Sequence, residues 1–421
     1  MKNSNLKLRL IAMNFLQFAA WGAYLTSMGG YLGKSGNGDI IGYFYSIQGV
    51  VSIFMPALMG IVADRWVRAE RLLGLCHLVA GAMMIVAGAY GIMMGDTMNK
   101  WLLFTFYSFS VAFYMPTLAL SNSVAFNALM RAGLDTVKDF PPIRVFGTVG
   151  FICTMLFVDF AGLQHTAWQF VVSGVLSLLL AFYAPTLPAC PVKKGEAKSL
   201  VEALGLKAFS LFKDSRMALF FVFSFLLGLQ LQISNGYANT YLSFFGEMDQ
   251  FKDTIAAQHA NALISISQIS ETLCILLIPF VLGRFGIKKV MMIAMGAWVL
   301  RFGLFGTGNP TDGLWMFVLS CIVYGVAFDF FNISGALFVD QNTTTDIRSS
   351  AQGLFMLMTN GLGASLGAYG AQLVVNHFVN TQEEALQKLA GWQTSWFIFA
   401  GYALVVLVLF TLFFRDKKTA R

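Results

Sequence analysis

Apolar residues run along this chain in long blocks, and the polar residues gather in short stretches between them. The blocks lie at about 8–32, 40–63, 72–95, 101–130, 141–163 and 167–184, and again at about 217–245, 257–282, 289–307, 314–339, 349–378 and 392–414. A helix needs about 20 apolar residues to cross a bilayer. The pattern therefore predicts twelve membrane-spanning helices in an all-α chain. A membrane β-barrel would instead show short segments of alternating polarity. The longest polar stretch, about 185–216, carries Lys193, Lys194, Lys198, Lys207, Lys213 and Arg216. It divides the expectation into a first six-helix bundle (1–184), a cytoplasmic linker (185–216) and a second six-helix bundle (217–421). Two bundles joined this way are the organisation of a transporter whose site lies near the midplane between the halves.

Composition strengthens this picture. Of 421 residues, 57% are hydrophobic and only 12% charged, about half the charged share of an ordinary soluble domain. Mean hydropathy is +0.68. The net charge of +7 could suggest nucleic acid in a soluble protein. Here its distribution gives a simpler account. With the amino terminus inside, 23 of the 28 basic residues fall in inner segments, and only Lys34, Lys100, Lys252 and Lys388 fall outside. That asymmetry predicts both termini in the cytoplasm, the lipid bilayer as the surroundings, and no nucleic-acid partner. The inner membrane of a bacterial cell is the expected location. The five cysteines form no CxxC pair and the four histidines are scattered, so neither metal nor cofactor is expected.

Some polar residues interrupt the apolar blocks. A charge at mid-membrane costs about 2.5–3.5 kcal/mol even on insertion scales, so such residues are functional candidates. Glu271 and Asp329 are the deep acids; Arg144 and Arg301 are the candidate cations, Arg301 the more structural of the two. Gln268 and Glu271 are one turn apart, as are Gln232 and Asn235, with Asn239 a further turn on. Arg144, Thr148 and Phe151 share one face of the fifth span, and Tyr324 and Phe328 one face of the tenth. Gln17, Trp21 and Tyr24 do so in the first. Amides both donate and accept hydrogen bonds, which suits base edges and sugar hydroxyls, and the aromatic rings could stack on a flat ligand. Gly363-x-x-x-Gly367 reads as close helix packing. No Walker A loop, Gly-x-Ser-x-Gly or His-Glu-x-x-His is present. Transport would then use an ion gradient or run downhill, with Asp329 first and Glu271 second as proton carriers.

The segment Gly60-Ile-Val-Ala-Asp64-Arg65-Trp66-Val67-Arg68 resembles the cytoplasmic-loop signature of the major facilitator superfamily, with Val67 in place of a glycine. Gly60, Asp64, Arg65 and Arg68 would form a tight turn, its acid capping a helix and pairing with arginines. Further segments carry a narrower resemblance: Asn14-Phe-Leu-Gln-Phe18, Asp139-Phe-Pro-Pro-Ile-Arg144 with Gly147-Thr148, Leu231-Gln-Ile-Ser-Asn235, Ser265-Ile-Ser-Gln-Ile-Ser-Glu-Thr272, Tyr324-Gly-Val-Ala-Phe-Asp-Phe-Phe-Asn-Ile-Ser334 and Ser350-Ala-Gln-Gly353. Together they make the chain similar to the nucleoside:proton symporters of that superfamily. The resemblance implies a major facilitator fold and import of purine and pyrimidine nucleosides with protons. It implies substrate binding by Arg144, Thr148, Phe151, Gln232, Asn235, Gln268, Glu271, Tyr324 and Phe328, and coupling through Asp329 or Glu271. A monomer that is not an enzyme is expected. A sugar or oligosaccharide:proton symporter would share the amides and acids. An integral membrane transferase is the remote alternative, since it would place its acids at a membrane face.

Overall fold

The computed structural model describes residues 3–191 and 206–414. The expected linker residues Lys193, Lys194 and Lys198, the basic residues at 415–421, and the side chains of Asp64 and Lys207 lie outside the described residues. The chain divides into two compact units, Met1–Leu204 and Gly205–Arg421.

The first unit is built from α1 (Asn3–Gly22), α2 (Met28–Lys34), α3 (Ile41–Arg65), α4 (Ala69–Met94), α5 (Lys100–Arg131), α6 (Thr136–Phe160) and α7 (Trp168–Tyr183). The expected first span is continuous only to Gly22. A turn at 23–27 then separates α2, in a stretch rich in glycine and serine, which are weaker helix formers than alanine. The turn is not left unsatisfied, because the Tyr45 hydroxyl donates to Leu25 O at 2.5 Å. Asn99 caps α5, its side chain accepting from the amides of Trp101 and Leu102. Midway along α5, Pro116 lacks an amide donor. One residue on, the Thr117 hydroxyl donates to Tyr114 O. Helix α1 packs on α6, and α4 packs on α5 and α7. Leu10, Leu73, Val124 and Leu129 lie in the resulting core.

The second unit comprises α8 (Ser215–Phe244), α9 (Ala260–Thr307), α10 (Leu314–Asn342), α11 (Thr345–Met356), α12 (Ala364–Val375) and α13 (Ala385–Phe413). Asp214 caps α8 through the amides of Arg216 and Met217. The 48 residues of α9 would extend about 72 Å as one straight helix, over twice the hydrocarbon thickness. The helix breaks at Gly286, where φ is +74°, a backbone state that favours glycine. The expected eighth and ninth spans therefore join through a single left-handed residue. The expected eleventh span is α11 and α12, joined by a π-helical segment at Leu357–Gly363 and followed by another at Asn376–Asn380.

Among the described residues, nine helices are long and apolar enough to cross a membrane. One of them, α9, holds two of the expected spans. The expected first and eleventh spans are not among the nine; a turn interrupts the first, and π segments interrupt the eleventh. Lipid-facing character shows in exposed apolar side chains such as Leu276 and Phe280 on α9. Backbones approach closely where the Gly363–Gly367 segment meets α8. A Cβ on Gly367 would sit 2.0 Å from Leu229 O, and one on Gly363 would sit 2.8 Å from Gly228 Cα. The two glycines are thus the close packing expected of them.

Candidate functional site

In the first unit, Arg144, Thr148 and Phe151 rise along α6 where it packs on α1. The Arg144 guanidinium lies 3.9 Å from the centroid of the Phe18 ring, a cation–π contact. Phe151 is buried and meets Trp21 edge-on at 6.3 Å, and Trp21 lies 6.1 Å from Tyr114. Thr148 is half-buried. The approach depends on Gly22, since a Cβ there would sit 2.4 Å from Phe151 O.

Gln17 does not stand open beside these rings. Its amide nitrogen donates to Thr117 Oγ1 at 2.7 Å, and its oxygen lies 2.8 Å from His77 Nε2. His77 Nδ1 lies 2.8 Å from Ser177 Oγ. The directions follow from valence. Thr117 spends its proton on Tyr114 O, so it accepts from Gln17. The Gln17 oxygen then faces His77, which must donate from Nε2 and accept from Ser177 at Nδ1. The chain links α7, α4, α1 and α5. His77 was not among the sequence candidates, because a lone histidine in an apolar block carries no spacing signal.

In the second unit, the Asn235 amide donates to Gln232 Oε1 at 3.1 Å, so the two predicted amides on α8 form one polar surface. Asn239, next on that face, is turned to helix packing. It donates to Asn261 Oδ1 at 2.9 Å and accepts from the Ser243 hydroxyl at 3.2 Å. Gln268 and Glu271 are half-buried, one turn apart on α9. Asp329 on α10 is only 5% exposed, and its Oδ2 has no hydrogen-bond partner among the described residues. The carboxyls of Asp329 and Glu271 lie within electrostatic reach of each other and of Tyr324. Tyr324 and Phe328 stack with ring planes 4° apart and centroids 5.8 Å apart.

Arg301 anchors this arrangement. It is buried, donates to Ser234 Oγ and Ser320 O at 2.7 Å each, and lies 4.6 Å from the Tyr324 ring centroid. It ties α9 to α8 and α10, the helices that flank α9 in sequence. Chemically, the second unit offers paired amides to donate and accept, two interacting carboxyls to bind or carry a proton, and a stacked ring pair to hold a flat group.

In the signature loop, an acid outside the expected set makes the described contacts. Helix α3 ends at Arg65, which is exposed, and Gly60 lies one turn earlier. Arg68 precedes α4, and its Nε pairs with Glu70 at 2.9 Å. Glu70 is 1% exposed and also accepts from the Cys190 amide at 2.9 Å. This acid fastens the loop to the chain beyond α7. Its only sequence signal was a carboxylate in the first turn of a helix, where the macrodipole favours it.

The chain matches the family model described as nucleoside H+ symporter over residues 4–419. It is 45% identical over 417 residues to the nucleoside permease NupG of Escherichia coli, covering 98% of this chain and 97% of the permease. It is 45% identical over 415 residues to the xanthosine permease of the same organism, covering 98% and 96%. The crystal structure of NupG superposes with a TM-score of 0.89 at 45% identity, over 98% of this chain and all of that one. The helical order and these matches make the fold that of the major facilitator superfamily, and the chain belongs to the nucleoside H+ symporter family.

Proposed function

We propose that this membrane protein imports purine and pyrimidine nucleosides together with protons. The observation that carries the proposal is the second unit's combination of paired amides with two interacting carboxyls, Asp329 buried and Glu271 half-buried, in a chain of this family. Gln232 and Asn235 read donors and acceptors on the nucleoside. Glu271 grips hydroxyls of the ribose or an edge of the base, with Gln268 beside it, and Tyr324 and Phe328 present their rings. In the first unit, Arg144, Thr148 and Phe151 complete the set of ligand contacts. Asp329 carries the proton, with Glu271 as the second choice. One proton moving down a potential of about 100 mV supplies about 2.3 kcal/mol. That sustains roughly forty-fold accumulation of a neutral solute.

The finer reading follows the basic residues. Both termini and the 185–216 linker face the cytoplasm of a bacterial cell, and the protein sits as a monomer in the inner membrane. The bundles 1–184 and 217–421 exchange access to the two sides. Gly60, Asp64, Arg65 and Arg68 form the cytoplasmic turn of the first. The deciding experiment is uptake of labelled uridine and adenosine by cells lacking their own nucleoside transporters, with and without a protonophore. Concentrative uptake that collapses with the protonophore is expected. Uptake unchanged without a proton gradient would rule out proton coupling, and no uptake of either nucleoside would refute the substrate class.

A further inference from the structure

Three helices of the first unit meet at Gln17 of α1. Its side-chain amide is engaged at both ends, donating to Thr117 of α5 and accepting from His77 of α4. Its backbone carbonyl accepts a further bond from the Tyr114 hydroxyl at 2.6 Å. Tyr114 is fixed twice more: its carbonyl accepts from Thr117, and its ring meets His77 edge-on at 5.7 Å. Gln17, His77 and Thr117 are all fully buried. These bonds hold the stretch of α1 that carries Phe18 and Trp21. Trp21 follows Gln17 by one turn on the same face. Phe18 and Trp21 are in turn the surfaces on which Arg144 and Phe151 rest, at 3.9 Å and 6.3 Å between the centres given above. Helix α6 leaves α1 little slack. A Cβ on Gly147 would lie 2.6 Å from the Phe18 ring, and one on Gly150 would lie 2.3 Å from Phe15 O. A shift of α1 must therefore be passed on to α6.

We propose that His77 is a positioning residue. Through Gln17 and Tyr114 it sets the place of Phe18 and Trp21, and so of Arg144 and Phe151, while touching no substrate itself. The assignment rests on the reading above that a nucleoside is the substrate and that Arg144 and Phe151 contact it. A fully satisfied buried network specifies one arrangement, and a network that loses a member no longer does. In His77→Leu the Gln17 oxygen loses its donor and the Ser177 hydroxyl its acceptor. The Gln17 side chain is then free to turn, which loosens its bond to Thr117 and the seat of Tyr114. A bond that merely glued the bundle would behave otherwise: its removal would cost stability and leave substrate affinity alone.

The test is uridine exchange in proteoliposomes, where KM does not depend on how much protein inserts. His77→Leu should raise KM by roughly two- to tenfold, the range for one neutral hydrogen bond, with the maximal rate per inserted protein near the parent's. Ser110→Ala is the control for glue. It removes a buried bond of similar length, from Ser110 Oγ to Ala80 O at 2.7 Å, which joins α5 to α4 outside this network. Its KM should stay at the parent's value. A parental KM in His77→Leu overturns the assignment, whatever happens to the rate, and so does an equal rise in Ser110→Ala. If His77→Leu fails to reach the membrane, Thr117→Val, which cuts the same network from α5, is judged by the same two criteria. These failures leave the substrate reading standing, because the parent still exchanges uridine. A parent protein that exchanges none refutes that reading and takes the role of His77 with it.

Discussion

Replacing Asp329 by asparagine should separate holding the substrate from concentrating it. The side chain is 5% exposed, and Oδ2 makes no hydrogen bond among the described residues. An amide is isosteric and breaks no bond at that atom. The folding cost should therefore stay below about 1 kcal/mol, within the usual range for a single change. What disappears is the ability to gain and lose a proton. With one proton per nucleoside and about 100 mV, the parent can sustain an accumulation ratio of up to roughly forty. The variant should equilibrate its substrate at a ratio near one. Proteoliposomes with an imposed proton gradient read this directly, and exchange of internal for external uridine tests whether the carrier still cycles. We expect exchange at near-parental rates and no concentrative uptake. An Asp329→Asn protein that accumulates uridine as well as the parent would refute the argument and shift the proton to Glu271.

Glu271→Gln should weaken equilibrium binding of uridine in calorimetric titration by about ten- to a hundredfold, the worth of one charged hydrogen bond; normal affinity would remove Glu271 from the ligand contacts. Gly367→Ala must push apart α8 and α12, because its Cβ would lie 2.0 Å from Leu229 O. A loss of about 1–3 kcal/mol is expected in thermal denaturation, and an unchanged Tm would contradict the packing. Burial, and after it the Glu70 carboxylate, pushes the Cys190 thiol up to about 11. Only the thiolate reacts, so maleimide labelling of Cys190 at pH 8 should be about a hundredfold slower than for an ordinary thiol and should rise with pH; labelling at the ordinary rate would refute the buried setting. Reporters fused after Lys194 and at the carboxyl terminus should report cytoplasm, and one near Asp249 the outside. An external signal from the linker would break the six-plus-six topology.

The sequence-level reading succeeded where a physical constraint was local and failed where it was not. Block lengths set by bilayer thickness located most spans to within a few residues, as with the block at 167–184 and helix α7 at Trp168–Tyr183. Breaks inside apolar blocks were invisible. The turn after Gly22 and the π segments at Leu357–Gly363 and Asn376–Asn380 alter hydrogen bonding without altering hydropathy. Gly286 stood in a polar stretch that read as a loop between two helices, and the chain spends one left-handed residue there. In the candidate site, Gln232 with Asn235 and Glu271 with Asp329 were legible because polar groups at helical spacing stand out against apolar surroundings. Asn239 fitted the same pattern, but the periodicity could not say that its partner would be Asn261. His77 and Glu70 gave no such signal. Each acquires its character from residues distant in sequence: Gln17 and Ser177 for the first, Cys190 for the second.

The hydrogen-bond chain through His77 has a consequence for where protons can travel. It runs one way, from Ser177 through His77 and Gln17 to Thr117, and it terminates on a backbone carbonyl. A proton wire must be able to pass a charge along and then reset by turning every link around. Here the third link is a carboxamide, which does not readily surrender a proton, and the last is an oxygen with nothing further to pass on. The imidazole is thus built into a dead end, fixed in one tautomer by its neighbours. A histidine deep in a proton-driven carrier invites the role of relay, yet this one insulates. Along this chain of bonds no proton can be relayed through the first unit.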